Sequence, residues 1–209
     1  RQLVIIRETD GVRQPEFWWH SDKKIWYSKD CSILLYTGAL KRPPVLGGFI
    51  LQIPASCALC PRRCKADRTR RAGVCGAADQ LMVARAALHH WEEPCISGTQ
   101  GSGTVFFSGC SLKCCYCQNY KISQEGLGKA IDAARLAQIF LELQQKGAHN
   151  INLVTATQWL PWVLEALAQA RAQGLTLPIV YNTGGYETLE TVQLLDGVVD
   201  VWLAGVKYV

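Results

Sequence analysis

Ten cysteines stand among the 209 residues, and nine of them fall between Cys57 and Cys117. The tightest group is Gly109-Cys110-Ser111-Leu112-Lys113-Cys114-Cys115-Tyr116-Cys117-Gln118-Asn119. Three thiolates at the spacing C-x3-C-x2-C, from Cys110, Cys114 and Cys117, can converge on one cluster if the chain loops around it. Iron–sulfur clusters usually take four cysteines. Three leave one iron open to a non-protein ligand, which is what a reactive cluster requires. The plainer reading is a zinc site or a set of buried thiols, but zinc favours paired C-x2-C units completed by a fourth Cys or His. Cys115 is separated from Cys117 by one residue, which is cramped for two ligands, and it is read as a bystander.

A second constellation lies upstream. Cys57, Cys60, Cys64 and Cys75 are spaced C-x2-C-x3-C-x10-C. Four thiolates complete a structural site for zinc or for an auxiliary iron–sulfur cluster, and the spacing does not choose between them. Reduced, buried cysteines are the bland alternative. Disulfides are disfavoured, because such close spacings suit a metal and the chain opens with no secretory pattern. That combination implies a reducing compartment, the cytoplasm. The chain begins with Arg1, and its single Met is Met82, so it reads as a fragment or an imperfect gene model.

The net charge of +5 is local. Arg62, Arg63, Lys65, Arg68, Arg70 and Arg71, against Asp67, account for all of it. A basic run can bind nucleic acid. Because it is confined to the cysteine-rich stretch, it is read instead as cations set among thiolates, favouring their ionised form, and nucleic acid is not expected as a partner. The longest apolar run, residues 45–53, is short and broken by Gly47 and Gly48, so no membrane span is expected.

These side chains need elements to hold them. Residues 1–53 show no clear period and are unassigned. Residues 54–102 are cysteine-rich, with sparse regular structure expected. From 103 to 209 the pattern becomes regular. Strands are predicted at 104–108, 151–155, 178–181 and 198–203. Helices are predicted at 131–146, stopped by Gly147, from about Pro161 to before Gly174, and at 186–195. Strands apolar on both faces, alternating with helices, imply an α/β fold with a parallel sheet and right-handed crossovers.

The stretch from Phe106 to Asn119 resembles the cluster loop of the radical S-adenosylmethionine superfamily, and more narrowly of proteins related to pyruvate formate-lyase activating enzyme. Four further segments resemble an uncharacterised branch of that group: Cys57-Ala-Leu-Cys-Pro-Arg-Arg-Cys64, Trp91-Glu-Glu-Pro-Cys-Ile-Ser-Gly98, Gly147-Ala-His-Asn-Ile-Asn-Leu-Val-Thr155 and Pro178-Ile-Val-Tyr-Asn-Thr-Gly-Gly-Tyr186. The resemblance begins at about residue 55 and runs to the end. It implies a partial (β/α) barrel of the radical SAM type, incomplete at the C-terminus and preceded by a cysteine-rich, mostly irregular segment.

It also implies a mechanism. A 4Fe-4S cluster on Cys110, Cys114 and Cys117 would bind S-adenosylmethionine at its open iron and pass it one electron. The products would be methionine and a 5′-deoxyadenosyl radical that abstracts hydrogen, in the activating enzymes from a backbone glycine of a partner. The implied partners are a reductant such as flavodoxin or ferredoxin, and a glycyl-radical enzyme or other protein substrate. Tyr116 would lie near the adenine. Thr155 and Thr157 occupy the place where relatives use Gly-Gly-Glu for the amino group. Asn182 and Thr183 match a loop near the methionine carboxylate, and Lys207 a lysine facing it. In parallel α/β barrels such groups gather at the C-terminal ends of the strands.

The sequence departs from its relatives at Gly205, where they carry Asp, at Ala156, where they carry Pro, and at Gln158-Trp159, where they carry His-Tyr. Relatives also continue to six strands, so this chain is expected to hold a cluster but to be a poor catalyst. A non-catalytic metal-binding module or an inactive truncated relative is the alternative.

Overall fold

A computed structural model describes residues 52–205 and, before them, the backbone of four strands, Gln2–Ile6 (β1), Phe17–His20 (β2), Ile25–Ser28 (β3) and Cys31–Tyr36 (β4). The later elements are Leu81–His89 (β5), Pro94–Ser97 (α1), Ser102–Phe107 (β6), Tyr120–Ser123 (α2), Lys129–Ile131 (β7), Ala133–Gln145 (α3) and Ile151–Val154 (β8). They are followed by a 3-10 turn at Thr157–Trp159, Leu160–Ala172 (α4), Ile179–Thr183 (β9), Leu189–Leu194 (α5) and Val201–Gly205 (β10).

The strands form an open sheet in the order β1-β10-β9-β8-β6-β5-β7, beside a three-stranded meander β2-β3-β4. β6, β8, β9 and β10 run parallel, as their alternation with helices predicts. β5 and β7 extend the sheet antiparallel beyond β6, and β1 pairs antiparallel with β10. No helix among the described residues is long and apolar enough to cross a membrane.

α3 and α4 cover one face of the sheet. Leu136, Phe140 and Leu143 of α3 recur at helical spacing and are almost wholly buried. They meet Val105, Leu153, Ile179 and Tyr181 from the strands and Val163 and Leu167 from α4. Asp132 caps α3, its carboxylate accepting the Arg135 N–H at 2.7 Å.

Three local expectations are corrected. The stretch expected to be sparse in regular structure contains β5, nine residues long and paired on both sides. Its Ala, Arg and Leu carry no strand preference; pairing with β6 and β7 imposes the extended form. Ile131, predicted to open the helix, instead pairs with Leu81 in β7, and the helix starts after the Asp132 cap. The third predicted helix is also shorter, since Thr188 caps it and accepts the Thr191 N–H at 3.2 Å. That leaves Tyr186 and Glu187 in the preceding loop.

Candidate metal centre

The chain leaves β6 and turns at once into the cysteine loop. Gly109 has φ of +78°, and a Cβ there would lie 2.4 Å from the Cys75 carbonyl oxygen, so the turn requires glycine. Its N–H donates to the Ile122 carbonyl at 3.0 Å, and the Cys110 N–H donates to the Cys75 carbonyl at 3.1 Å. The Arg62 guanidinium holds the next carbonyls, those of Ser111 and Leu112. Gln124 Nε2 donates to the Cys114 carbonyl at 2.9 Å.

Cys110, Cys114 and Cys117 are half-buried, while Cys115 is exposed. The Leu112 N–H lies 3.4 Å from Cys110 Sγ, and Ser123 Oγ lies 3.2 Å from Cys117 Sγ. Tyr116 stands beside Cys114 and Cys115 with much of its ring exposed. None of these thiols is in a disulfide. Among the described residues, no three His, Cys, Asp or Glu side chains are gathered as tightly as one metal ion requires. A four-iron cluster spreads its thiolates further apart than a single ion does, and three thiols on one clamped loop match its donor chemistry. The trio therefore fits such a cluster by donor type.

Because β6, β8, β9 and β10 are parallel, the cysteine loop, Thr155, Asn182-Thr183 and Gly205 all lie at one edge of the sheet. Thr155 has φ of +57°, a left-handed conformation that costs a β-branched residue about 1–2 kcal/mol. It is locked there by its N–H to the Asn182 carbonyl at 2.9 Å and by its own carbonyl, which accepts Gln158 Nε2 at 2.8 Å. Strain held this firmly at a strand end points to function. The hydroxyl of Thr157 is buried between Tyr181 Oη at 2.8 Å and Glu187 Oε1 at 3.0 Å. The Thr183 hydroxyl donates to the same Glu187 oxygen. The Asn182 amide turns to the other face and donates to Glu92 at 3.1 Å. Lys207 lies outside the described residues.

Three contributors were not legible as site residues. Gln158 and Trp159 donate to the Ser108 carbonyl at 3.2 and 2.8 Å, and Gln158 also donates to the Gly109 carbonyl at 3.0 Å. They tie the turn after β8 to the start of the cysteine loop. Glu187, which carries no motif, joins Thr157 to Thr183, and burial pushes its carboxyl up.

The upstream constellation is also brought together. Cys57, Cys60, Cys64 and Cys75 line one pocket with Ser111, Thr157 and Gln158, directly behind the cysteine loop. Burial pushes the Cys60 and Cys75 thiols up. At Cys64 burial acts the same way, but N–H groups of Val74 and Ala66 outweigh it and hold the thiol below its ordinary value. Of the six cations, only Arg68 is buried. It donates to the Ala78 and Gln158 carbonyls and stacks over Trp159 and Trp162 at 5.2 and 5.4 Å. Arg63 pairs with Glu190 and Arg70 with Asp67 at the surface.

Residues 96–205, just over half of the chain, match a family described as a 4Fe-4S single cluster domain. The chain is also similar to an uncharacterised protein of Methanocaldococcus jannaschii, 31% identical over 160 residues, covering 73% of this chain and 46% of the relative. It thus spans about half the length of that relative. No solved structure matches it.

Proposed function

Because the chain belongs to the 4Fe-4S single cluster domain family, we propose that Cys110, Cys114 and Cys117 hold the cluster and that it serves the reductive cleavage of S-adenosylmethionine. The observation that carries this reading is the position of the three-thiol loop, on the same sheet edge as the strained Thr155 and the end of β9. When bound, cluster and cofactor together supply one electron to the sulfonium and a 5′-deoxyadenosyl radical for hydrogen abstraction.

The chain's own residues bind and orient. Gly109 and Arg62 fix the start of the loop, and Gln158 and Trp159 fix the loop to the turn after β8. Leu112 N–H and Ser123 Oγ donate to the sulfurs of Cys110 and Cys117 and so orient them. Tyr116 offers its backbone to the adenine. Thr155, Thr157, Asn182, Thr183 and Lys207 would receive the methionine end. In this reading the four parallel strands are part of a (β/α) barrel of the radical type. The electron comes from a flavodoxin or ferredoxin, and the substrate is a glycyl-radical enzyme or another protein. The pocket of Cys57, Cys60, Cys64 and Cys75 would hold a second centre, either an iron–sulfur cluster, whose thiolates stand further apart, or zinc, for which the thiols would have to close in.

Anaerobic reconstitution with iron and sulfide tests this. Wild type should take up about four irons per chain at the loop, and S-adenosylmethionine should perturb the electronic spectrum. Replacing Cys110, Cys114 or Cys117 by Ser should abolish that response, whereas Cys115→Ser should preserve it. Cys57→Ser and Cys75→Ser should remove only the second metal, whose identity metal analysis gives. Zinc alone at the loop, or a cluster indifferent to S-adenosylmethionine, would overturn the reading.

A further inference from the structure

The face of the sheet turned away from α3 and α4 carries buried polar side chains. The parallel register sets Thr104 beside Asn152 and Asn152 beside Val180, with Asn182 two residues along β9. Thr104 and Asn152 are fully buried. The turn after β5 sends two successive carboxyls, Glu92 and Glu93, onto this face. Glu92 Oε2 accepts from Asn152 Nδ2 and from Asn182 Nδ2, each at 3.1 Å. The Glu93 carboxyl stands against that of Glu92, close enough to share a proton.

The turn that delivers them is rigid. The Glu92 N–H donates to Ser97 Oγ at 3.0 Å, and the Glu93 carbonyl accepts the Ile96 and Ser97 N–H groups at 2.8 and 2.9 Å. Asn150 Nδ2 donates to the Ile96 carbonyl at 2.7 Å and so binds the turn to the loop before β8.

Two acceptors in this group are shut from solvent without a partner, Glu93 Oε2 and Asn152 Oδ1. An unsatisfied buried acceptor costs about 1–3 kcal/mol, and more when it is charged. Burial, and then the charge of Glu93, pushes the Glu92 carboxyl up to about 7. Unmet acceptors beside a negative charge call for a partner that is cationic, rich in N–H donors and free of acceptors, which describes an ammonium or guanidinium group.

We propose that Glu92, Glu93 and Asn152 form a binding site for an ammonium or guanidinium group of a substrate. That the ligand is the substrate rests on the radical reading above, because the site lies on the sheet whose edge carries the cysteine loop. The binding itself does not rest on it. The reconstituted protein is titrated, without S-adenosylmethionine, with ethylammonium and ethylguanidinium, and binding is followed by ligand-observed NMR at constant ionic strength. Tetramethylammonium serves as a cation lacking N–H, and acetamide as a neutral donor. One or both N–H cations should bind saturably, with tetramethylammonium and acetamide not binding. The affinity should fall about tenfold or more in Glu93→Gln and in Glu92→Gln. Equal binding of tetramethylammonium or acetamide, unchanged affinity in Glu93→Gln, or no binding of either N–H cation overturns the proposal. The comparison among ligands on wild type decides even if a variant does not fold. Failure here leaves the spectral response to S-adenosylmethionine standing.

Discussion

Gly109 carries a burden that its neighbours cannot take over. Its positive φ and the Cys75 carbonyl 2.4 Å from an ideal Cβ mean that even a methyl group forces backbone apart, since the obstructing atom is a main-chain oxygen. Gly109→Ala should destabilise the protein by about 3 kcal/mol, combining left-handed strain with displacement of the loop. It should also lower iron uptake at Cys110, Cys114 and Cys117 while leaving all three thiols in place. Thermal melting and metal analysis check this, and full iron loading with an unchanged midpoint would contradict it. The cysteines announced themselves through type and spacing. Glu187, Gln158 and Trp159 did not, because most of their hydrogen bonds reach residues 30 to 51 positions away, which no local pattern encodes.

At the scale of elements, the strands and helices after residue 103 were legible because apolar periodicity and caps are local signals. β5 was not, because its composition suits a helix as readily as a strand and only its two partners hold it extended. Its first residue, Leu81, is completely buried against the core and pairs with Ile131. Leu81→Ala should therefore cost about 3 kcal/mol, as a cavity in a packed interior does. Chemical denaturation measures it. A loss under about 1 kcal/mol would show that β5 is only loosely attached to the sheet.

For the whole molecule, buried carboxyls shape the pH dependence of stability. Glu92 is raised to about 7, by burial first and by Glu93 second, and Glu187 is raised by burial. An unfolded glutamate titrates near 4.5. Through that window the folded chain holds more protons than the unfolded one, so these groups contribute fully at low pH and their contribution is lost as pH rises toward 7. His89, lowered by burial, acts in the opposite direction around pH 6.5 and below. Asp67, Glu142 and Glu190 are lowered and act only in the more acidic range. Comparing wild type with Glu92→Gln isolates one contribution. Between about pH 5 and about pH 8 the wild-type melting temperature should fall relative to the variant. A relative rise would contradict the burial of Glu92.

Residue types and spacing alone determined the three-cysteine loop, the upstream four-cysteine set and the alternation of strands and helices, because each is written in neighbours along the chain. Tertiary structure decided what those features meet. It placed the four upstream thiols in one pocket behind the loop, sent Arg68 inside while the other cations stayed at the surface, and put Glu92 against Asn152 and Asn182. Those contacts join residues as much as 90 positions apart. They exist only once the parallel register has brought the strand ends to a common edge, and a chain read in one dimension carries no signal for them.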